Sequence, residues 1–483
     1  MTDLAAVLSG ERSWCVITAD CLDWLKTQPD NTFDSMVTDP PAGIGFMGRE
    51  WDSFGGIHAT EETSVKLRRT NAKYGGPNCY GGSANPVAQP KEVRDRFIAY
   101  MTARLSECLR VLKPGGHALV WALPRTCHWT ATACENAGFE IRDKVFHLFG
   151  QGFPKSLDVS KAIDKAAGAE REVVGKGHHG RSAGHGTSGN FGHSVDYFDC
   201  KEGLPITAPS TLAAQLWDGW GTALKPAVEE WILCRKPLDG TVAANVQKWG
   251  VGGLNVDGCR ISTAPRDDYG RSTVKADGKL SLNRADGYGL NDEPYRPNPQ
   301  GRFPSHLTLD EDAAKMLDEQ SGERATGEKH RDRRFHGWQK SGELEAVDKL
   351  WCGGDSGGAS RFFYVAKASR ADREEGLEGC EATFKATLGN YSRPSEGRTA
   401  PKNGSTRANH HPTVKPTALM RWLCRLITPP GGTILDPFCG SGSTGKAAIA
   451  EGFRCVLIEV DQAYADIART RLDAAERQGR LNL

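Results

Sequence analysis

The sequence predicts an α/β fold in which a mostly parallel sheet carries helices on both faces. Three observations predict it. Strand and helix signals alternate through the first 150 residues, the same alternation returns from His411 to the end, and a glycine-rich turn there joins a strand to a helix.

Taken in order, Trp14 to Thr18 reads as a short strand, Cys21 to Thr27 as a helix, and Phe33 to Val37 as a strand ending at Asp39-Pro40-Pro41. Arg94 to Leu112 places Phe97, Met101, Leu105, Leu109 and Leu112 at helical spacing and should stop at Lys113-Pro114-Gly115-Gly116. His117 to Ala122 is then a strand, Thr126 to Ala137 a helix and Lys144 to Phe149 a strand. From Gly152 to about Pro226 the alternation breaks. Residues 161–226 read as a loop rich in glycine and histidine, with little to bury. Val228 to Cys234, within 227–239, reads as a strand returning to the core. Residues 240–405 are polar and rich in Gly, Pro, Arg and Asp, with only short apolar runs at Leu307 to Leu309 and Phe362 to Ala366, so they read as an insertion. Beyond it, Thr417 to Ile427 is a helix, Thr433 to Leu435 a strand, Gly445 to Glu451 a helix, Cys455 to Ile458 a strand and Gln462 to Arg471 a helix.

Composition narrows the function. Lys plus Arg is 61 against 60 for Asp plus Glu, a net charge of +1, which excludes a protein that holds nucleic acid by bulk charge. Any basic surface must be local, as between Tyr391 and Pro416, where Arg393, Arg398, Lys402, Arg407 and Lys415 face one acid, Glu396. A solvated face and a phosphate contact are equally open readings of that run. No apolar stretch approaches the ~20 residues of a membrane helix, and Met1 to Gly10 lacks a secretion signal, so a cytoplasmic protein is expected. The 14 cysteines form no C-x-x-C pair, and several sit in apolar segments, as reduced thiols do. His178, His179, His185 and His193 lack companion ligands at metal spacing, so no metal site is expected.

Two turns carry chemistry. In Thr433-Ile-Leu-Asp436-Pro-Phe438-Cys-Gly440-Ser-Gly442 a strand enters a glycine turn that opens a helix. The glycines let a ligand approach the backbone, and the helix start offers unpaired N–H groups. Glu459 follows at the tip of the next strand, where a carboxylate can accept from ribose hydroxyls. An ordinary αβ turn is the bland reading; strand, turn, helix, strand and acid together favour a nucleoside ligand. The turn is neither G-x-G-x-x-G nor a triphosphate loop, which points to S-adenosyl-L-methionine rather than NAD or ATP. The second turn is Thr38-Asp39-Pro40-Pro41. Its prolines fix a rigid, non-helical bend that aims the Asp39 carboxylate and the Pro40 carbonyl into the crevice beyond the sheet. Two acceptors on one turn can grip both hydrogens of an exocyclic NH₂.

These pieces resemble the amino-group DNA methyltransferases in their permuted, beta-type motif order, with the target-amine half first and the cofactor half last. Ala19-Asp20-Cys21-Leu22 is similar to the family's segment at the cofactor adenine. Thr38 to Gly45 resembles the catalytic D-P-P-Y motif, with Asp39, Pro40, Pro41 and Ala42 at its four positions. Val111 to Gly116 resembles a shared helix-to-strand turn, and Phe149 to Ser156, with Phe153, the target-side loop. His411-Pro-Thr413-Val-Lys415-Pro416 resembles the segment before the cofactor turn, which is itself Asp436 to Gly442. Gly221 to Pro226 and Gly358 to Tyr364 further resemble a phage or prophage branch.

The resemblance implies a Rossmann-like S-adenosylmethionine-dependent sheet with a long target-recognition insertion. Its target-amine half would be 1–160, its recognition region 240–405 and its cofactor half 406–483. It implies methylation of adenine N6 in flipped-out double-stranded DNA, in a restriction-modification setting, with a homodimer left open. It carries over Asp20, Cys21, Thr413, Lys415, Pro416, Asp436, Phe438, Gly440, Gly442 and Glu459 as cofactor contacts. Asp39, rather than Ser, is similar to the adenine-N6 type; cytosine-N4 is the alternative. The departure is Ala42, where the family has an aromatic ring that stacks on the target base. Either Phe46, Trp51 or Phe153 supplies that surface, or the chain is weakened, or it binds DNA and cofactor without turnover.

Overall fold

The computed structural model describes residues 3–43, 91–150, 152, 156–176, 205–261, 301–325, 356–366, 371–378, 380, 383–384, 406–411 and 413–481. Nine strands form the main sheet: β1 (Trp14–Thr18), β2 (Phe33–Thr38), β3 (Leu112–Ala122), β4 (Glu140–Leu148), β5 (Val228–Arg235), β6 (Leu307–Asp310), β7 (Tyr364–Ala366), β8 (Thr433–Asp436) and β9 (Arg454–Glu459). Across the sheet they run β1-β9-β8-β2-β3-β5-β4-β6-β7. Every neighbouring pair is parallel except the two made by β5, which runs antiparallel between β3 and β4. The last two strands of the chain therefore lie between its first two.

The strands in the middle of the sheet are apolar on both faces, as a sheet covered by helices on both sides requires. Along β2, Met36 packs into one core and Val37 into the other; along β9, Val456 and Ile458 alternate with Cys455 and Leu457 in the same way. One core receives Leu419, Leu423 and Leu426 from the helix Thr417–Ile427, and Ala465, Ala468 and Leu472 from the helix Gln462–Leu481. The other receives Phe97, Met101, Leu105 and Cys108 from the helix Lys91–Val111, together with Trp129 and Ala133 from Cys127–Asn136. Among the described residues no helix is long and apolar enough to cross a membrane.

Four expectations need correction. The Lys113-Pro114-Gly115-Gly116 turn lies inside β3, which starts at Leu112. Gly115, at φ +78°, donates its N–H to the Lys236 and Pro237 carbonyls, so the bend is pinned beside β5 and the pairing register shifts there. β4 starts at Glu140, because Glu140 pairs with Arg235 in the ladder as well as through its side chain.

The described parts of 161–226 are structured: a helix Val159–Ala167, a hairpin of Val173–Lys176 with Pro205–Thr207, and a helix Leu212–Leu216. A polar hub holds them, which is why hydrophobic spacing missed it. The buried Asp164 carboxylate accepts from the Ser210 and Thr211 N–H groups, the Thr211 hydroxyl and Arg171, and these donors hold it down at about 2. The 240–405 span also joins the core, since its two short apolar runs are β6 and β7 at the sheet edge. Phe46, Trp51, Phe153 and His178, His179, His185 and His193 lie outside the described residues, as does most of the basic run before Pro416.

Candidate active site

The connections out of β8 and β2 go to opposite sides, β8 through the helix Ser443–Ala450 to β9 and β2 through Lys91–Val111 to β3. In an open α/β sheet the crevice at such a reversal, beyond the carboxyl ends of the strands, is where ligands bind. Here those ends are Asp436 and Asp39. A pocket of about 1210 Å³, counted out to its mouth, opens between them. Of the sequence-derived residues, Asp20, Cys21, Asp39, Pro40, Pro41, Ala42, Thr413, Lys415, Asp436, Phe438, Gly440 and Glu459 all line it. Gly442 and Pro416 stand just behind the wall, Gly442 as the N-cap of Ser443–Ala450 and Pro416 as the N-cap of Thr417–Ile427.

The glycine turn needs its glycines. Gly440 and Gly442 take φ of +52° and +79°, where a side chain is strained. A Cβ on Gly440 would lie 2.7 Å from His411 Nε2, and one on Gly442 would lie 3.1 Å from the Ala468 Cβ. The His411 ring is fixed over the turn: its Nδ1–H donates to the Thr413 carbonyl at 2.7 Å, and its edge meets Tyr464 at 4.6 Å. Glu459 faces the turn from β9. It accepts from the Gly440 N–H at 2.8 Å and from the Asp461 N–H at 2.9 Å, while burial pushes its carboxyl up. On the next wall, Asp20 caps the helix Cys21–Lys26 through the Leu22 N–H and pairs with Arg104 at 2.7 Å. The Arg104 guanidinium covers the Tyr100 ring at 3.5 Å.

The two turns are joined. Thr38 donates to Asp436 at 2.7 Å, and Asp436 also accepts from the Phe438 N–H at 3.1 Å and from Thr444. Burial nevertheless pushes Asp436 up to about 7, against those donors. Beyond Pro40 the bend is held at Ala42, whose carbonyl accepts from the Thr126 hydroxyl at 2.9 Å. Asp39 keeps about a fifth of its side chain exposed, toward the pocket. Burial raises it to about 6, the Lys415 ammonium opposes that rise, and Glu229 adds to it.

Sequence reasoning missed Glu229 and Trp121, and it gave Lys415 a different neighbour. Lys415 Nζ lies 3.3 Å from Asp39, 3.5 Å from Glu229 and 3.9 Å above the centre of the Trp121 ring. The EE pair that opens β5 was the available signal, since two acids at the start of a core strand need partners. Burial pushes the Cys21 thiol up to about 12 and the Cys439 thiol well above its ordinary value, so both are packing groups rather than nucleophiles. Among the described residues no group of three His, Cys, Asp or Glu could hold a metal.

The site is thus a pocket at the switch point of the sheet, with the Asp39-Pro40 turn on one side and a glycine turn with an acid, Glu459, on the other. Residues 296–470 match the model of the N6/N4 methyltransferases, described as DNA methylase. The chain is 42% identical over 66 residues to the DNA adenine methyltransferase YhdJ of Escherichia coli (strain K12), a stretch that is 14% of this chain and 22% of that protein. It is 45% identical over 67 residues to the type II methyltransferase M2.DpnII of Streptococcus pneumoniae, 14% of this chain and 25% of that one. Over these segments the chain is therefore similar to N6/N4 amino-methyltransferases of DNA. The chain spans less than a third of the length of the curated relatives it matches. Among solved structures, the cytosine-N4-specific PvuII DNA methyltransferase is 10% identical, with 97% of this chain and 93% of that one covered and a TM-score of 0.38. A likeness that loose adds nothing to the topology.

Proposed function

We propose that the chain transfers a methyl group from S-adenosylmethionine to the exocyclic N6 of adenine in double-stranded DNA, in the cytoplasm. The observation that carries this reading is the meeting of the Asp39-Pro40 turn and the glycine turn across one pocket, tied by the 2.7 Å bond from Thr38 to Asp436.

The residues fit the cofactor. Glu459 offers a carboxylate for ribose hydroxyls, Gly440 leaves the backbone open to close approach, and Phe438 with Cys21 lines the walls of a mixed apolar and polar pocket. When bound, S-adenosylmethionine supplies an electrophilic methyl group on a positively charged sulfur. The adenine must leave the duplex, because its amine is otherwise paired and stacked. Asp39 and the Pro40 carbonyl accept the two amine hydrogens, which turns the nitrogen lone pair away from the ring and toward the methyl group. With that methyl donor in place, the amine nitrogen would take the methyl group as the sulfur leaves with the bonding pair, and the Asp39 carboxylate would accept the surplus amine proton. Holding both partners in line supplies most of the rate gain, without a covalent intermediate on the protein. The 240–405 region would read the DNA grooves, with β6 and β7 anchoring it to the sheet. Ala42 leaves the base without its usual stacking ring, so turnover is expected to be weakened.

The test is transfer of a labelled methyl group from S-adenosylmethionine to unmodified duplex DNA, followed by nucleoside mass spectrometry. N6-methyladenine is expected. N4-methylcytosine would overturn the base assignment, and no labelled product in any nucleoside would overturn the activity.

A further inference from the structure

The family resemblance assigns Lys415 to the cofactor, but the geometry puts its charge elsewhere. Its side chain is 3% exposed, and its ammonium has two carboxylates beside it, Asp39 Oδ2 at 3.3 Å and Glu229 Oε2 at 3.5 Å. A buried ammonium of this kind persists only where it is paired. The Trp121 ring lies beneath it at 3.9 Å, and the same indole donates its N–H to Glu229 Oε2 at 3.1 Å. Asp39, Glu229 and Trp121 therefore form a cage around the ammonium. One cation shared by two carboxylates leaves the cluster net negative beside the amine-gripping turn.

We propose that Lys415 and Glu229 are a positioning pair for the target-amine turn: Lys415 holds the Asp39 carboxylate in its ionised, accepting form, and Glu229 with Trp121 holds Lys415 there. Neither residue belongs to the cofactor cradle. The inference rests on Asp39 being the amine acceptor, and it adds what keeps that acceptor charged. Without the ammonium, the charges that remain beside Asp39 among the described residues are like charges, Glu229 from β5 and Asp436 from β8. Among the described residues, the other titratable groups around the cage are His147 on β4, which bonds Thr308 at 3.0 Å and whose charged form burial disfavours, and Asp310 at the end of β6. Burial therefore works against His147 replacing the missing cation.

The two residues act on Asp39 with opposite sign, which separates this role from simple structural support. An opposite charge within about 6 Å lowers a carboxyl midpoint by one pH unit or more, and a like charge raises it. The experiment is a ¹³C NMR titration of aspartate-labelled full-length chain, with the Asp39 resonance identified by its loss in Asp39→Asn. Lys415→Met should move the Asp39 midpoint up by about one pH unit or more, whereas Glu229→Gln, which keeps an acceptor for Trp121, should move it down. S-adenosylmethionine affinity by calorimetry should stay within about threefold of wild type in both variants.

Midpoints that move together, or do not move, would overturn the proposal. So would a tenfold loss of S-adenosylmethionine binding in Lys415→Met with an unmoved midpoint, because that result makes Lys415 a cofactor contact. If Lys415→Met does not fold, Lys415→Gln and Glu229→Gln carry the same opposed shifts. The titration needs no turnover, so failure of the methyltransferase reading, seen as absence of labelled nucleoside with wild-type chain, is distinguishable from failure of this one. Where turnover is measured, the acid limb of kcat/KM should follow the Asp39 midpoint in each variant.

Discussion

Replacing Thr38 with Val removes one hydroxyl from the bond that ties the Asp39-Pro40 turn to the glycine turn, and almost nothing else. Both Thr38 and Asp436 are buried, and the hydroxyl donates to the carboxylate at 2.7 Å. A hydrogen bond to an ionised acceptor contributes about 1.5–3 kcal/mol, and one between neutral groups about 0.5–1.5 kcal/mol. Asp436 is raised to about 7 by burial, so it is mostly ionised at pH 8.5 and mostly protonated at pH 5.5. The expected loss is therefore about 2 kcal/mol at pH 8.5 and about 1 kcal/mol at pH 5.5.

The sign follows from proton binding. The folded state holds the Asp436 proton more tightly than the unfolded chain, so stability falls as pH climbs from about 3.9 to the folded value. Thr38 opposes that rise by favouring the ionised form. Its loss lifts the upper end of the window further and deepens the fall at high pH. Urea unfolding of wild-type and Thr38→Val chains at the two pH values measures the difference. An equal loss at both pH values, or a loss below about 0.5 kcal/mol at pH 8.5, would refute the reasoning.

Three further substitutions separate the parts of the site. Asp39→Ala should abolish methyl transfer while leaving S-adenosylmethionine affinity within a few-fold, read by calorimetry beside the labelled-methyl assay; normal methylation would remove the amine grip. Glu459→Ala should weaken S-adenosylmethionine binding by about 10- to 100-fold, because it deletes the pocket acid and leaves the Gly440 and Asp461 N–H groups without their acceptor. Unchanged affinity by calorimetry would end that assignment. Ala42→Tyr should tighten DNA binding and raise transfer, since base–aromatic stacking contributes about 1–3 kcal/mol per base. No gain in an already active chain would mean that another ring stacks the base.

The legible part of the site was the part written in consecutive residues. Asp39-Pro40-Pro41 and Asp436 to Gly442 each combine a strand end and a bend in a few positions, so both could be placed at a crevice without knowing the sheet order. The Asp39–Lys415–Glu229 cluster could not, because it draws on three segments far apart in sequence and depends on β5 entering the sheet backwards between β3 and β4. The edge of the sheet was hidden for a different reason. β6 and β7 are four and three residues long and sit in polar surroundings, too short for a period-2 pattern to register. The small lobe around Asp164 is organised by hydrogen bonds rather than apolar spacing, so composition alone read it as a loop.

The order of the sheet also governs how the chain must assemble. β8 and β9 enter at residues 433–459 yet take the third and second places from the β1 edge, bonded to β2 on one side and β1 on the other. Ile434, Leu435, Val456, Leu457 and Ile458 are all fully buried there. Until they arrive, β1 has no neighbour in the sheet, the inner edge of β2 is unpaired, and both cores lack their middle. Unpaired inner edges of apolar strands are aggregation templates, and pairings this distant in sequence form late. A fragment of residues 1–405 should therefore aggregate on expression, and adding a fragment of residues 406–483 during refolding should recover soluble complex, measured by size exclusion. A 1–405 fragment that is monomeric with native-like circular dichroism would show that the first 405 residues hold their strands without the wedge, and that the pocket is docked onto a preformed sheet rather than built with it.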